Sequence, residues 1–265
     1  MRYFFHIGYN GFAYQGWQKL PQAVSVQAVI ETQLSKVLKK EISIVGCGRT
    51  DAQVNASQFF FHVDLDDEWD YDLVFRLNKN LPADIAVFDI IPMELQQHAR
   101  MDAVERTYNY FIHTYSDPFL NSLSSYYPEK DLDLAEMRKA ITLLSYHNDY
   151  RNFCRMPADQ KSTLCNITSA GLYADKNGDH IRFEISANRF LNGMIRMLMH
   201  SLLTIGRGEL TIDEFQHRLT STGQVEFLNS AYPQGLYLSK VRYPYLDLPN
   251  RSGLFASNVG LFSAC

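Results

Sequence analysis

Two residue periods alternate across residues 2–91, and their order narrows the fold before any single motif is weighed. Residues 2–9 alternate weakly and are β-rich in composition, which gives a first strand. Ser25 stands where a helix cap belongs, and Val26, Val29, Ile30, Leu34, Val37 and Leu38 then recur at helical spacing over 26–39. The short apolar run Ile42, Ile44, Val45 reads as a strand, as does Ser57 to Val63. Asp70 to Asn80 reads as a helix, and Ile85 to Ile91, after Pro82, as another strand. The order β, α, β, β, α, β is that of a split βαβ, ferredoxin-like half.

The second half has a similar mix. Ala103 to Tyr115 reads as a long strand, and its period of two puts Arg106, Tyr108, Tyr110 and Ile112 on one face. A loop over 116–130 contains Pro118 and Pro128, and a helix follows over 133–145 (Leu134, Met137, Ile141, Leu144). Strands at Ile167 to Tyr173 and Ile181 to Ala187 flank the turn Asp175 to Asp179. The strongest helical pattern runs from Phe190 to Ile205, with Phe190, Leu191, Met194, Ile195, Leu198, Leu202 and Leu203 on its apolar face. Asn192, Arg196 and His200 lie opposite. Gly193 inside that helix costs about 1 kcal/mol against alanine, which points to a close neighbour there. Gly206 ends the helix, and a helix over 211–220 and a strand from Leu236 to Tyr243 close the chain.

Composition excludes several classes. With 265 residues and 46% hydrophobic content the chain is globular, as one large or two ordinary domains. No run approaches the roughly 18 apolar residues of a membrane helix, and the N-terminus lacks a secretory pattern. Four cysteines (Cys47, Cys154, Cys165, Cys265) form no CxxC pair, which suits a reducing cytoplasm. The eight histidines show no HxH or HExxH spacing, so no metal site is expected. A net charge of −4 argues against a general nucleic-acid binder, although a local basic cleft remains compatible with it.

Chemistry concentrates in Cys47 to Ala56, where Gly48, Arg49, Thr50 and Asp51 follow one another just beyond a strand. Taken alone, this is ordinary turn composition; loops held by a rigid scaffold are also where working residues concentrate. Trp17, in the aromatic loop 9–18, reads as a core anchor.

Five stretches in order resemble the tRNA pseudouridine synthase A family. They are Tyr9-Asn10-Gly11 with Gly16-Trp17-Gln18; Gly48 to Ala56; Arg106, Tyr108 and Tyr110; Phe190, Met194, Ile195 and Arg196; and Gly235-Leu236-Tyr237-Leu238. The resemblance implies an α+β pseudouridine-synthase fold. In it two ferredoxin-like or RRM-like halves form a central, mostly antiparallel sheet flanked by helices, with the active-site cleft between them. Residues 1–103 would carry the Asp loop, and 104–265 the Tyr strand and Arg helix. It implies isomerisation of uridine to pseudouridine in the anticodon stem-loop of tRNA, without cofactor or metal, by a homodimer. Asp51 would be the essential carboxylate, as nucleophile or as base. Tyr108 would stack on the base and assist proton removal, and Arg196 would pair with Asp51. Arg49, Thr50, Arg106, Tyr110 and Leu236 would contact the substrate.

These roles suit the chemistry. A stacked uridine must be flipped out before it can react. Burial alone would raise a carboxylate pKa, which a nearby arginine counters with a charge that does not titrate away. An aromatic ring is a sequence-tolerant partner for a splayed base.

Some positions depart from the family. Gln53 and Asn55 replace a glycine and a histidine, and the first exchange matters most if the backbone there needs positive φ. Asn10, Leu20, Cys165, Asn192, Gly193 and His200 also differ. The alternative these changes leave open is a non-catalytic or re-targeted RNA-binding paralogue. A third reading, another enzyme class on a ferredoxin-like scaffold, stays open because fold alone does not fix function, though no P-loop or Rossmann fingerprint supports it.

Overall fold

The computed structural model describes residues 1–66, 69–129, 131–221 and 228–251. Within them the chain forms two compact units, one of Met1–Val104 with the chain from Tyr237 onward, the other of Glu105–Leu236. The last strand, from Tyr237, therefore clusters with the first unit. Cys265 lies outside the described residues.

In the first unit the order is β1 (Arg2–Tyr9), α1 (Val26–Leu38), β2 (Val45–Gly46), β3 (Asn55–Asp64), α2 (Leu73–Asn80) and β4 (Ile85–Met93). β1 lies between β4 and β3 and is antiparallel to both, while β2 pairs antiparallel with β3. β1 and β2 thus run parallel on either side of β3, which is the split βαβ expected from the periodicity. Helix α1 starts where Ser25 accepts the Ala28 N–H and ends at Lys39, which is left-handed at φ 54°. Buried Glu31 on that helix accepts from Lys19, Gln27 and the Ile44 amide, tying the approach to β2 down.

β1 and β3 are buried on both faces, which explains why their alternation is weak in the sequence. On one face Phe5 stacks on Phe61 at 4.7 Å, and Trp17 stacks on Phe59 at 4.1 Å. Trp17 is 2% exposed, the core anchor anticipated above. On the other face Phe4 and Phe60 meet Tyr243 edge-on, and Tyr243 donates its hydroxyl to the Ala99 carbonyl at 2.7 Å.

The second unit contains β5 (Glu105–His113), β6 (Ser125–Tyr126), α3 (Leu134–Leu144), β7 (Ile167–Ala174), β8 (His180–Ala187), α4 (Met194–Gly206) and α5 (Ile212–Thr220). β8 lies between β5 and β7, antiparallel to each, so a second split βαβ is built from β5, α3 and β7. Chain direction is mostly antiparallel in both units. The exceptions among the described pairings are β6 on β5, and the final strand β9 (Leu236–Arg242) on β3 through Asn55↔Tyr237 and Ala56↔Leu238.

One expected element is corrected. Helix α4 begins at Met194 rather than Phe190, because Gly193 adopts φ 76°, a left-handed conformation that caps the helix instead of continuing it. A Cβ on Gly193 would lie 3.1 Å from the Arg155 side chain, so the close neighbour inferred from the glycine is Arg155.

Candidate active site

Asp51 sits on a turn clamped by the aromatic loop 10–17, and two glycines make the approach possible. A Cβ on Gly11 would collide with the Val54 carbonyl, and one on Gly16, itself at φ 89°, would lie 2.5 Å from the Thr50 carbonyl oxygen. With the chains this close, Trp17 N–H bonds to Thr50 O at 3.1 Å and Gln53 N–H to Tyr14 O at 3.0 Å. The turn closes through Val54 N–H to Asp51 O at 3.2 Å. Its third residue is Gln53, at φ 64°. Glycine ordinarily fills that position in a type II turn. The positive φ on which the Gln53 departure turned is therefore present, and a side chain there costs about 1–2 kcal/mol.

The flanking residues divide between surface and support. Arg49 is exposed and Asp51 half-buried. Thr50 is buried, and its hydroxyl is 2.9 Å from that of Tyr9. Asn55 is fully buried, its Oδ1 accepting the Gly11 N–H at 2.7 Å. Tyr9, Gly11, Gly16 and Asn55 were not read as site residues from the sequence. The sequence signals are the family-like stretch that holds Tyr9, Gly11 and Gly16 and the place of Asn55 in the Asp51 motif, neither of which shows that these residues hold the turn.

In the second unit, β5 presents Arg106 and Tyr108 half-buried. Arg106 donates to the Asn188 carbonyl at 3.3 Å, and Tyr108 meets Phe190 edge-on at 5.2 Å. Phe190 thus serves as a wall for Tyr108 from outside the helix. Arg196, in the first turn of α4, donates through Nε to Ala231 O at 2.7 Å and accepts the Ala231 N–H on its own carbonyl at 2.9 Å. Nothing local in the sequence marks Ala231, which contributes backbone atoms only.

Three of the expected substrate contacts, Thr50, Tyr110 and Leu236, are buried in this structure. Tyr110 has no exposed surface; its hydroxyl donates to the Tyr232 carbonyl at 2.8 Å and lies 2.9 Å from Ser125 Oγ. Burial, its largest influence, holds that phenol well above the ordinary tyrosine range. Leu236 is likewise buried and follows Gly235, where a Cβ would collide with the Phe111 carbonyl. Cys165 is buried too, and burial pushes its thiol up to about 11, so it is protonated near neutral pH. Among the described residues no group of three or more His, Cys, Asp or Glu is placed to hold a metal ion.

An α+β chain with an Asp turn after β2 and an Arg-x-Tyr strand has the makings of a pseudouridine synthase, and comparison with known proteins establishes that class. A family model described as tRNA pseudouridine synthase matches residues 140–244. A tRNA pseudouridine synthase A of Parabacteroides distasonis is 39% identical over 246 residues, covering 92% of this chain and 96% of its own. The protein of that name from Porphyromonas gingivalis is 36% identical, covering 92% and 97%, and that from Vibrio cholerae 33%, covering 94% and 95%. The chain belongs to the tRNA pseudouridine synthase A family.

Proposed function

We infer that the chain isomerises uridine to pseudouridine in the anticodon stem-loop of tRNA. As a member of its family it is an isomerase of the pseudouridine synthase class. The observation that carries the catalytic reading is the Asp51 turn, where a half-buried aspartate sits on backbone bonded to the neighbouring loop on both sides; the anticodon stem-loop is the site the family resemblance implies. Reacting groups held by their surroundings, and not by their own flexibility, lower the barrier by orientation.

Asp51 acts on the flipped uridine as nucleophile or as base. Tyr108 supplies the aromatic partner for the base, kept upright by Phe190. Arg196 supplies a cation that does not titrate away, anchored by Ala231. Exposed Arg49 and half-buried Arg106 bind the RNA. Uracil is detached, turned and rejoined through carbon, so atoms balance without an external reactant. No described helix is long and apolar enough to cross a membrane, and the reading places the protein in the cytoplasm as a homodimer.

The test is pseudouridine mapping after incubation with unmodified tRNA transcript. The wild type should modify anticodon-stem uridines, and Asp51→Asn should lose about 1,000-fold or more in rate while still binding tRNA, the upper range for acid–base chemistry. Full activity in Asp51→Asn ends the reading. Tight, salt-dependent tRNA binding with no turnover in the wild type replaces it with an RNA-binding paralogue. Light scattering that gives a monomer removes the homodimer.

A further inference from the structure

The Asp51 turn is held from one side by a residue the family pattern does not contain. Asn55 opens β3, is fully buried, and is fixed in register opposite Tyr237 of β9. Its side chain therefore projects from a strand paired into the sheet, a rigid platform. Its Oδ1 accepts the Gly11 N–H at 2.7 Å. Gly11 is packed so tightly against Val54 that no side-chain atom fits between them. Three and six residues further on, the same loop makes the two backbone bonds that bracket Asp51, from Gln53 to Tyr14 and from Trp17 to Thr50. One side-chain oxygen thus holds the start of the loop that bonds the turn on both sides of Asp51.

The turn needs such a clamp. Gln53 is held left-handed, a conformation that a residue with a Cβ leaves when its restraints loosen. Because Asp51 and Gln53 share one turn, relaxation of Gln53 redirects the Asp51 carboxylate.

We propose that Asn55 is a positioning residue for Asp51, acting through the Gly11 N–H and the 10–17 loop. The proposal rests on the reading of Asp51 as the reacting carboxylate. A buried amide N–H needs a partner, and both asparagine Oδ1 and an unprotonated histidine Nδ1 can serve as acceptor at this distance from the backbone. Alanine supplies none.

The test compares Asn55→Ala with Asn55→His and Asn55→Asp by single-turnover pseudouridine formation on unmodified tRNA transcript at saturating enzyme, with tRNA Kd measured alongside. Asn55→Ala should slow the reaction about 10- to 100-fold, the scale of a misplaced catalytic group, while Kd changes less than about twofold. Asn55→His and Asn55→Asp, which keep an acceptor, should each recover a rate well above that of Asn55→Ala. A folded Asn55→Ala at the wild-type rate overturns the proposal, as does an equal slowing in all three variants. If Asn55→Ala gives no cooperative melt, the two acceptor-keeping variants decide. Near-wild-type rates in both support positioning, and a folded but more than tenfold slower pair overturns it. Asp51→Asn run in parallel separates the two levels: if it loses turnover while Asn55→Ala does not, only the positioning role fails, whereas activity in Asp51→Asn removes the underlying reading.

Discussion

Asp51 is carried by a turn whose backbone is bonded to a neighbouring loop on both sides, whereas Arg196 is carried by the first turn of a helix buried on almost every face. The first arrangement depends on clearance. Gly11 and Gly16 let two segments of the chain come within hydrogen-bonding distance, so adding an atom is what breaks it. The second depends on filling, because Met194, Leu198, Leu202 and Leu203 have no exposed surface, so removing atoms is what breaks it. One charged group is set by backbone geometry and the other by apolar volume.

The largest expected effect is on the filled side. Leu198→Ala should destabilise by about 3 kcal/mol in urea denaturation, the transfer loss plus the cavity. A change below about 1 kcal/mol would mean that α4 collapses onto the gap and does not depend on filled volume. On the clearance side, Gly11→Ala should cost about 2–3 kcal/mol through overpacking against Val54, and Gly48→Ala, where a Cβ meets nothing within 4 Å, serves as its control. Equal effects at the two glycines would show that clearance is not what holds the turn.

Acid should weaken the strand beneath the turn. His62 on β3 accepts the Ala99 N–H at 3.2 Å, and burial first, then Arg2 and His98, lower its pKa to about 4. A histidine whose folded pKa lies below the unfolded value of about 6.5 contributes its full stability above that value. The contribution is lost as pH falls from about 6.5 towards about 4. Between pH 7.5 and pH 5 the loss should be on the order of 2 kcal/mol, and His62→Gln should reduce the slope of stability against pH; an unchanged slope would assign the acid sensitivity to other groups. The smallest effect is a gain. Gln53→Gly should raise stability by roughly 0.5–1 kcal/mol, since relief of the left-handed strain is partly offset by the freer unfolded chain. A loss of stability would show that the Gln53 side chain makes a contact worth more than the strain it causes.

Legibility followed the range of the interaction. Ser25 as a cap and the split βαβ order are readable because each depends on neighbours a few residues away or on a local period, and the buried Trp17 is readable from its residue type, although the ring it stacks on, Phe59, is distant in sequence. The start of α4 was misplaced because Phe190 and Leu191 continue the apolar pattern, and only the backbone of Gly193, seen in three dimensions, breaks it. Tyr110 shares a strand face with Tyr108, so period alone could not separate the half-buried ring from the enclosed one. The partners that enclose it, Ser125 and Tyr232, come from 15 and 122 residues away.

By itself the sequence determined the class of fold, the five motifs and the identity of the charged residues, because side-chain chemistry and short-range periodicity are written into it directly. Only the tertiary structure decided that Gln53 is left-handed, that Asn55 bonds Gly11 across 44 residues, and that Ala231 anchors Arg196 across 35. Each of those facts rests on backbone atoms brought together by chain closure. Every residue type carries the same backbone, so no local pattern announces which amide or carbonyl will be used.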